Sequence, residues 1–232
     1  MAAIPDPPWW RRRGEPSRGE RRPLTRDAIV DAALVLLERE GIDGLSMRKL
    51  AQELDAGAAS LYWHVGDKEE LLSLLLDRIV GEQKIPDPDP EHWQDQVREM
   101  AREARELFRS HRDSARLSMG RIPTGPNSLP VMERTLAVLA AAALPPRVIA
   151  YAADLFALYV GAFAYEESIA REGDPAQFDE YLRSLPPEAF PVITSLAADL
   201  TMGDADERFE FGVELLLAGL EALAQRGGHQ DR

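Results

Sequence analysis

Residues 45–68 read LSMRKLAQELDAGAASLYWHVGDK, and this stretch predicts two short helices joined by a tight turn. The first helix begins at Ser46, whose hydroxyl can accept hydrogen bonds from the free N–H groups of a helix start. The turn follows at 55–57, where Gly57 can adopt backbone angles that are closed to most residues. The second helix covers residues 58–65. This arrangement is typical of a helix-turn-helix.

The second helix of the pair has two faces of different chemistry. Leu61 and Val65 lie four residues apart and form an apolar face. Small residues open the helix at Ala58, and its other face carries Ser60, Tyr62, Trp63 and His64. Such a helix suits a DNA major groove, which its N-terminal end would enter. We therefore hypothesise DNA binding, although the sequence leaves core packing open as the alternative for Tyr62 and Trp63.

Composition limits the other classes of function. The chain has 232 residues and is 45% hydrophobic, which favours a packed protein over a disordered one. It has no cysteine, which excludes disulfides, thiolate metal sites and cysteine catalysis. The four histidines lack partners at metal or triad spacing, so we expect neither a metal, nor a cofactor, nor an enzyme. No signal segment and no run of about 18 apolar residues occurs, so we expect a cytoplasmic protein without a membrane partner.

The net charge of −13 first argues against a nucleic-acid partner, but the charge is unevenly distributed. Residues 1–68 are neutral overall, and the whole excess of acid lies in residues 69–232. Within residues 1–26, seven arginines outnumber three acids. Attraction to phosphate is local, because salt screens charges over about 8 Å. The acidity is therefore compatible with DNA binding, and a solvated acidic surface without meaning for partners is the alternative.

Helical periodicity dominates the chain, and no strand pattern of period two occurs, so we expect an all-α fold. Residues 1–23 are rich in Arg and Pro and predict a disordered arm, with a short tail at 227–232. A helix-turn-helix domain is expected at 24–70, joined by a fourth helix to a larger helical body at 71–226. The first expected helix covers residues 26–40 and is capped by Thr25. After the two helices at 46–65, further helices are expected at 68–84, 91–110, 113–119, 131–143, 147–172 and 205–225, with a Pro-interrupted region at 175–200.

Several segments resemble a known family. The stretch TRDAIVDAALVLLEREGIDGLSMRKLAQELDAGAASLYWHVGDKEELL resembles the DNA-binding domain of TetR-family transcriptional regulators, and LYWHV is close to the tetracycline repressors. WQDQVREMARE, SHRD and MGRIPT are similar in order to the tetracycline-repressor-type C-terminal domain. The resemblance covers about residues 25–170. It implies a homodimer with two DNA-binding heads on a helical body, in which a small-molecule effector changes the head spacing and releases the operator.

The resemblance also implies which residues meet the DNA. Arg48 matches a base-contacting position, where a bidentate contact to guanine is favourable. Lys68 would bind phosphate with the help of a helix N-terminus. Ala58 and Ala59 replace the usual polar pair, so the operator should differ from the tetracycline one. A dimer would read an inverted repeat with half-sites about 34–36 Å apart. The full expected DNA-binding set is Ser46, Arg48, Ala58, Ser60, Tyr62, Trp63, His64 and Lys68.

The resemblance breaks at the ligand site. Ser118 stands where the tetracycline repressors have a metal-binding histidine, and Tyr165 stands where they have a carboxylate. Hard cations prefer oxygen ligands, so a tetracycline–magnesium inducer is not expected. The apolar lining with a few hydroxyls suits a hydrophobic or aromatic molecule; for each residue, plain core packing is the alternative. The expected ligand-binding set is Met100, Ala104, Ser118, Met119, Ile122, Leu155, Tyr159, Phe163 and Tyr165.

The two longest apolar segments of the body predict the dimer interface. A helix that is apolar on more than one face must be buried against its own core and against a partner. Four such helices, two from each chain, can close a bundle. Two other classes stay open, namely a TetR-like activator and an all-α ligand carrier or enzyme with a structural helix-turn-helix. One expected stripe is Leu155, Leu158, Ala162 and Ile169. The last helix is expected to be apolar over much of its surface, through Phe211, Leu215, Leu216, Ala218, Leu220 and Leu223.

Overall fold

The computed structural model of the chain describes residues 24–169, 175–201 and 204–227, and these form twelve helices without a strand. The expected all-α fold is confirmed. The expected arm at 1–23 and residues 228–232 of the expected tail lie outside the described residues. The helices are α1 (Arg26–Gly44), α2 (Met47–Glu53), α3 (Ala58–His64), α4 (Lys68–Val80), α5 (Trp93–Ser110), α6 (Ser114–Ser118), α7 (Ser128–Ala140), α8 (Pro146–Ser168), α9 (Pro175–Ser184), α10 (Pro191–Ser195), α11 (Ala197–Thr201) and α12 (Ala205–Gly227).

Three of the first four helices begin with a side-chain cap. The hydroxyl of Thr25 accepts from the N–H of Ala28 at 3.1 Å, and that of Ser46 accepts from the N–H of Lys49 at 3.3 Å. Asp67 caps α4 in the same way, through the N–H of Glu70 at 2.8 Å. Such caps satisfy N–H groups that have no partner inside the helix. The expected starts of α1 and α2 are therefore confirmed.

The turn between α2 and α3 differs from the prediction in one respect. Gly57 has ordinary extended angles (φ −68°, ψ 139°), and the left-handed residue is Asp55 with φ 44°. Asp tolerates this conformation better than most side chains do, and the N–H of Ala56 closes the turn on the carbonyl of Ala51 at 2.9 Å. A true left-handed glycine occurs at Gly41 (φ 74°), where the regular part of α1 ends as expected.

The helices α1–α4 form a small head around one apolar cluster. Leu36, Leu50, Leu61 and Leu75 come from the four helices in turn and are almost completely buried. Leu117 of α6 is also fully buried in this cluster. The head core therefore runs across residue 70, the boundary expected from the sequence, and is completed by a residue far along the chain.

The helices α5, α7, α8 and α12 form a larger body around a second apolar cluster. Ion pairs tie α5 to α12 on the surface of this body: Arg102 meets Glu210 and Arg98 meets Glu214. The short helices α9–α11 contact one another. The buried members of the second cluster include Trp93, Val97, Met100, Val138, Leu139, Val160, Phe163, Phe209, Val213 and Leu217.

Several helix ends shift from their expected positions. The helix α4 stops at Val80 instead of 84, with Gly81 as its C-cap. The helix α7 begins at Ser128 instead of 131, because Pro130 lies in its first turn, where its missing N–H costs no hydrogen bond. The helix α8 ends at Ser168, four residues early. By length and composition alone α8 could cross a membrane, a property that core helices of soluble proteins share.

Candidate nucleic-acid interface and ligand site

The recognition face of α3 is open to solvent. Leu61 is fully buried and anchors the helix in the head core, whereas Ala58 and Ser60 are exposed. Trp63 is 62% exposed and Tyr62 is 41% exposed. Core packing, the alternative for these two aromatic residues, is therefore wrong. A large exposed indole on a short helix leaves apolar surface free for a partner.

The other expected DNA-binding residues lie around this face in different environments. Arg48 is exposed on α2, which contacts α3. The hydroxyl of Ser46 is already engaged as the cap of α2. The Nζ of Lys68 donates to the carbonyl of Ile42 at 3.3 Å, which holds the ammonium end of this side chain against α1. A lysine ammonium has three donors, so this bond leaves two for a phosphate.

His64 closes α3 and is half-buried. Burial, followed by the nearby positive charge of Arg26, lowers the pKa of His64 below 6.5. Its ring is therefore neutral at pH 7, with one donor and one acceptor nitrogen for a base edge. Arg26 also donates from Nε to the carbonyl of His64 at 3.4 Å.

Glu70 holds the connection between α3 and α4, a role that the sequence reading missed. This buried carboxylate accepts from the N–H of Gly66 at 2.7 Å and from Arg26 at 3.3 Å. The D-x-x-E spacing of Asp67 and Glu70 is a capping-box pattern and could have revealed it. The connection fixes the recognition helix relative to α4.

The segment 111–113 fastens the body to the end of α1. Arg112 donates from its guanidinium to the carbonyl of Arg39 at 2.8 Å, and Asp113 accepts from the N–H of Ile42 at 2.8 Å. Both groups satisfy main-chain atoms where α1 breaks at Gly41. The end of the head's first helix is therefore capped by the body.

His111, the first residue of this segment, bridges two carboxylates. Its Nδ1 lies 3.1 Å from Glu38 of α1 and its Nε2 lies 3.0 Å from Glu82, just after α4. Burial by itself would lower the pKa of His111, but the hydrogen bonds to Glu82 and Glu38 outweigh it, and the pKa is raised above 6.5. The charged imidazole is thus favoured at the joint between head and body.

The expected ligand-binding residues do not all line one cavity. Met100 and Phe163 are buried in the body core, and Ala104 packs against it. Ser118 donates to the carbonyl of Ala115 at 2.7 Å. Ile122 is 78% exposed. Of the rest, Leu155 is exposed on α8, while Met119, Tyr159 and Tyr165 are half-buried.

A cleft of about 800 Å³ lies along α8, α11 and α12 and includes two of the expected residues, Tyr159 and Phe163. The hydroxyl of Tyr159 donates to the carbonyl of Phe209 at 2.9 Å, and burial raises the pKa of this phenol. At Gly212 a Cβ atom would lie 2.0 Å from that hydroxyl, so glycine is required for the close approach of α8 and α12. The complete lining is Tyr159, Ala162, Phe163, Glu166, Asp199, Glu207, Arg208, Phe211 and Gly212.

A buried cation lies beside this cleft. Arg105 of α5 is stacked over the rings of Phe209 at 4.6 Å and Phe163 at 5.2 Å. Both nitrogens of its fork bind Glu167 at 2.6 and 2.8 Å, and Asp206 lies 2.8 Å away. A buried arginine needs a bidentate carboxylate partner, which Glu167 supplies here. No group of three or more acidic or histidine side chains suited to a metal occurs among the described residues.

The outward faces of α8 and α12 expose large apolar side chains. On α8 these are Leu155 and Leu158, followed by Ile169 just after the helix, and on α12 Phe211 is 70% exposed. Of the apolar residues expected on α12, Leu220 is buried in the chain's own core, whereas Leu215 and Leu223 are exposed. Large exposed apolar side chains on neighbouring helices are typical of an interface.

Two family descriptions match these two parts of the chain. The description "Bacterial regulatory proteins, tetR family" matches residues 29–75, and "Tetracyclin repressor-like, C-terminal domain" matches residues 85–224. The chain belongs to the TetR family. The resemblance seen in the sequence is therefore confirmed, and this TetR-family protein is a transcriptional regulator with a DNA-binding helix-turn-helix.

Similar proteins include two that are named as HTH-type transcriptional regulators. An HTH-type transcriptional regulator from Saccharopolyspora erythraea is 37% identical over 205 residues, which are 87% of this chain and 86% of that protein. The HTH-type transcriptional repressor DrrR1 of Streptomyces coeruleorubidus is 34% identical, with 94% and 86% covered.

A solved structure of a TetR-family protein is similar over nearly its full length. Apo ActR from Streptomyces coelicolor has a TM-score of 0.85 and 46% identity, covering 88% of this chain and 98% of ActR. ActR has also been solved in complex with actinorhodin, where the TM-score is 0.81 with 46% identity and coverage of 87% and 97%.

Proposed function

We propose that this regulator is a repressor that binds an inverted-repeat operator as a homodimer and is released by a small hydrophobic or aromatic molecule. The observation that carries the proposal is the open face of α3. Its inward side is fully used by the head core, while Trp63, Tyr62 and Ser60 are exposed beside Arg48. A merely structural helix-turn-helix gives no reason for an indole and a guanidinium to be exposed here.

The DNA contacts divide into two groups. Arg48 and His64 are assigned to base edges, because a guanidinium and a neutral imidazole offer directional donors. Lys68 and the N-terminal end of α4 are assigned to phosphate, together with the hydroxyls of Ser60 and Tyr62. Ala58 contributes a small apolar surface that suits a thymine methyl group.

The exposed stripes of α8 and α12 support a homodimer. In a four-helix bundle, each subunit buries its own Leu158 and Phe211 against the partner. A partner subunit on this face also explains the high hydropathy of α8 without a membrane. We therefore assign the protein to the cytoplasm. We assign DNA binding to residues 24–70 and ligand binding and dimerisation to residues 71–226, with α4 crossing this boundary and packing into the head core.

The effector site is assigned to the body, with Tyr159 and Phe163 at its centre. These two residues belong both to the set expected from the sequence and to the cleft along α8 and α12. The complex of ActR with actinorhodin supports a small-molecule effector for this chain too. Actinorhodin is therefore the first probe to test.

Release follows as a shift between two arrangements of the heads. The effector must bind the DNA-incompetent arrangement more tightly, because equal affinity for both would shift nothing. A 100-fold loss of operator affinity requires about 2.7 kcal/mol of such coupling. The helix α4 joins head to body and transmits this shift to the head.

The decisive experiment is selection of binding sites from a random duplex library with the purified protein at moderate salt. We expect an inverted repeat with half-sites about one DNA turn apart. Binding to that site should weaken with salt, as phosphate contacts require. If dimeric protein freed of small molecules by unfolding and refolding selects no motif, the operator-binding proposal fails.

A further inference from the structure

Asp77 is a buried carboxylate in the last turn of α4, with 2% of its surface exposed. Its hydrogen-bond donors come from the start of α7. The main-chain N–H of Ser128 donates to Oδ1 at 2.9 Å, and the Ser128 hydroxyl donates to the same atom at 2.7 Å. The side-chain Nδ2 of Asn127 donates to Oδ2 at 2.7 Å. Within the described ranges no cation pairs with Asp77, so these donors and the N-terminal end of α7 stabilise its charge.

The two chain segments at this point approach each other very closely. A Cβ atom at Gly125 would lie 2.3 Å from the carboxylate of Asp77, and one at Gly81 would lie 2.6 Å from the Cβ of Asn127. Neither position has room for a side chain. The glycines therefore bring the end of α4 directly onto the start of α7, and the carboxylate fixes the two at one distance and angle.

Asp77 joins the two halves of the molecule. On one side, α4 contributes Leu75 and Ile79 to the core of the head. On the other side, α7 contributes Val138 and Leu139 to the core of the body. This carboxylate and its donors connect the last turn of α4 to the first turn of α7, so a displacement of one helix acts on the other here.

A second contact ties the same chain segment to the other end of α4. Arg121, which follows α6, pairs with Glu69 in the first turn of α4 and donates to the carbonyl of Leu117 at 3.1 Å. This pair is exposed at Glu69 and is worth little by itself. Of the two contacts, the buried one at Asp77 therefore contributes more to holding α4 in place.

We infer that Asp77 is a positioning residue for operator binding, an inference that rests on the operator-binding dimer proposed above. Its carboxylate sets the tilt of α4 and hence the spacing of the two recognition helices. Asp77 contacts neither DNA nor effector and acts only through α4.

The test is Asp77→Asn, which keeps the size of the side chain but sets an N–H₂ group against the N–H₂ of Asn127. We expect a folded dimer in which the heads sample more spacings. If the operator-competent fraction falls to a tenth, the affinity for the selected operator falls about tenfold. Operator affinity is measured by titration, corrected for the folded fraction from circular dichroism.

The spacing of the heads is measured separately. The chain has no cysteine, so Val35→Cys, at an exposed position of α1, gives one spin label per subunit. Double electron–electron resonance then reports the head-to-head distance without DNA. The distribution should broaden or shift in Asp77→Asn. If Asp77 only stabilised the fold, the melting temperature would fall while the distance distribution and the affinity of folded protein stayed unchanged, and the inference would be overturned.

A matched pair of variants makes the assignment specific. In the double variant Asp77→Asn with Asn127→Asp, the amide and the carboxylate exchange places, so the hydrogen bond across the joint is restored. We expect the double variant to recover the narrow distance distribution, and its failure to do so argues against the proposed geometry. If Asp77→Asn does not fold, Asn127→Ala removes only the donor to Oδ2 and takes its place. A wild type that selects no operator defeats the proposed function, while the distance measurement still decides the role of Asp77.

Discussion

Phe211 offers a quantitative test of the homodimer. About 70% of this side chain is exposed on α12, next to the exposed stripe of α8. Complete burial of a phenylalanine side chain is worth up to about 3 kcal/mol, so covering the exposed part stabilises by about 2 kcal/mol. A two-fold interface contains the residue twice, which gives about 4 kcal/mol for the dimer. Phe211→Ala should therefore raise the dimer dissociation constant by roughly a thousandfold.

The assay is sedimentation equilibrium over a concentration series that brackets the wild-type dissociation constant. Trp63→Ala is the matched control, because this indole is 62% exposed but lies on the head. The control should leave dimerisation unchanged and weaken operator binding instead. An unchanged dimer constant in Phe211→Ala would refute the assignment of α12 to the interface. A wild type that sediments as a monomer at micromolar concentration would refute the dimer itself.

Three further predictions concern the head and its joint with the body. Arg48→Ala should keep the fold and lose about 1–3 kcal/mol of operator affinity in a binding titration; unchanged affinity removes it from the DNA-reading set. Leu61→Ala should cost about 2–5 kcal/mol of stability in chemical denaturation, because it empties a fully buried site. His111 has a raised pKa, so its bridge to Glu38 and Glu82 stabilises fully below about pH 6.5 and loses this effect as the pH rises through the folded pKa. The melting temperatures of wild type and His111→Gln should accordingly converge from pH 5.5 to pH 8.5, and a constant difference contradicts the bridge.

The sequence could predict what is encoded locally. Thr25 and Ser46 cap their helices because a hydroxyl just before a helical pattern can accept from the main-chain N–H groups of the first turn. The inward position of Leu61 follows from its four-residue spacing to Val65 alone. Gly57 shows the limit of such reasoning, since the turn needs one left-handed residue and either Asp55 or the glycine could supply it. Only the bond that closes the turn on Ala51 decides between them.

Long-range contacts could not be predicted in this way. Asp77 and Ser128 are 51 residues apart, and nothing in either local pattern indicates the other. The same holds for Arg105 and Glu167, which are 62 residues apart. The expected ligand residues were assigned through a resemblance of helices whose ends shift by several residues. An exposed Ile122 and a buried Met100 therefore entered one set, although a pocket wall is decided by tertiary packing.

The completion of the head by the body has a consequence for biosynthesis. The head's core includes Leu117, and the end of α1 is capped by Arg112 and Asp113. A ribosome delivers all of α1–α4 before it delivers these three residues. During that interval the nascent head has an open core site and an uncapped first helix. The helix-turn-helix domain of a newly made chain therefore completes its core and the cap of α1 only after the first residues of the C-terminal domain have left the ribosome.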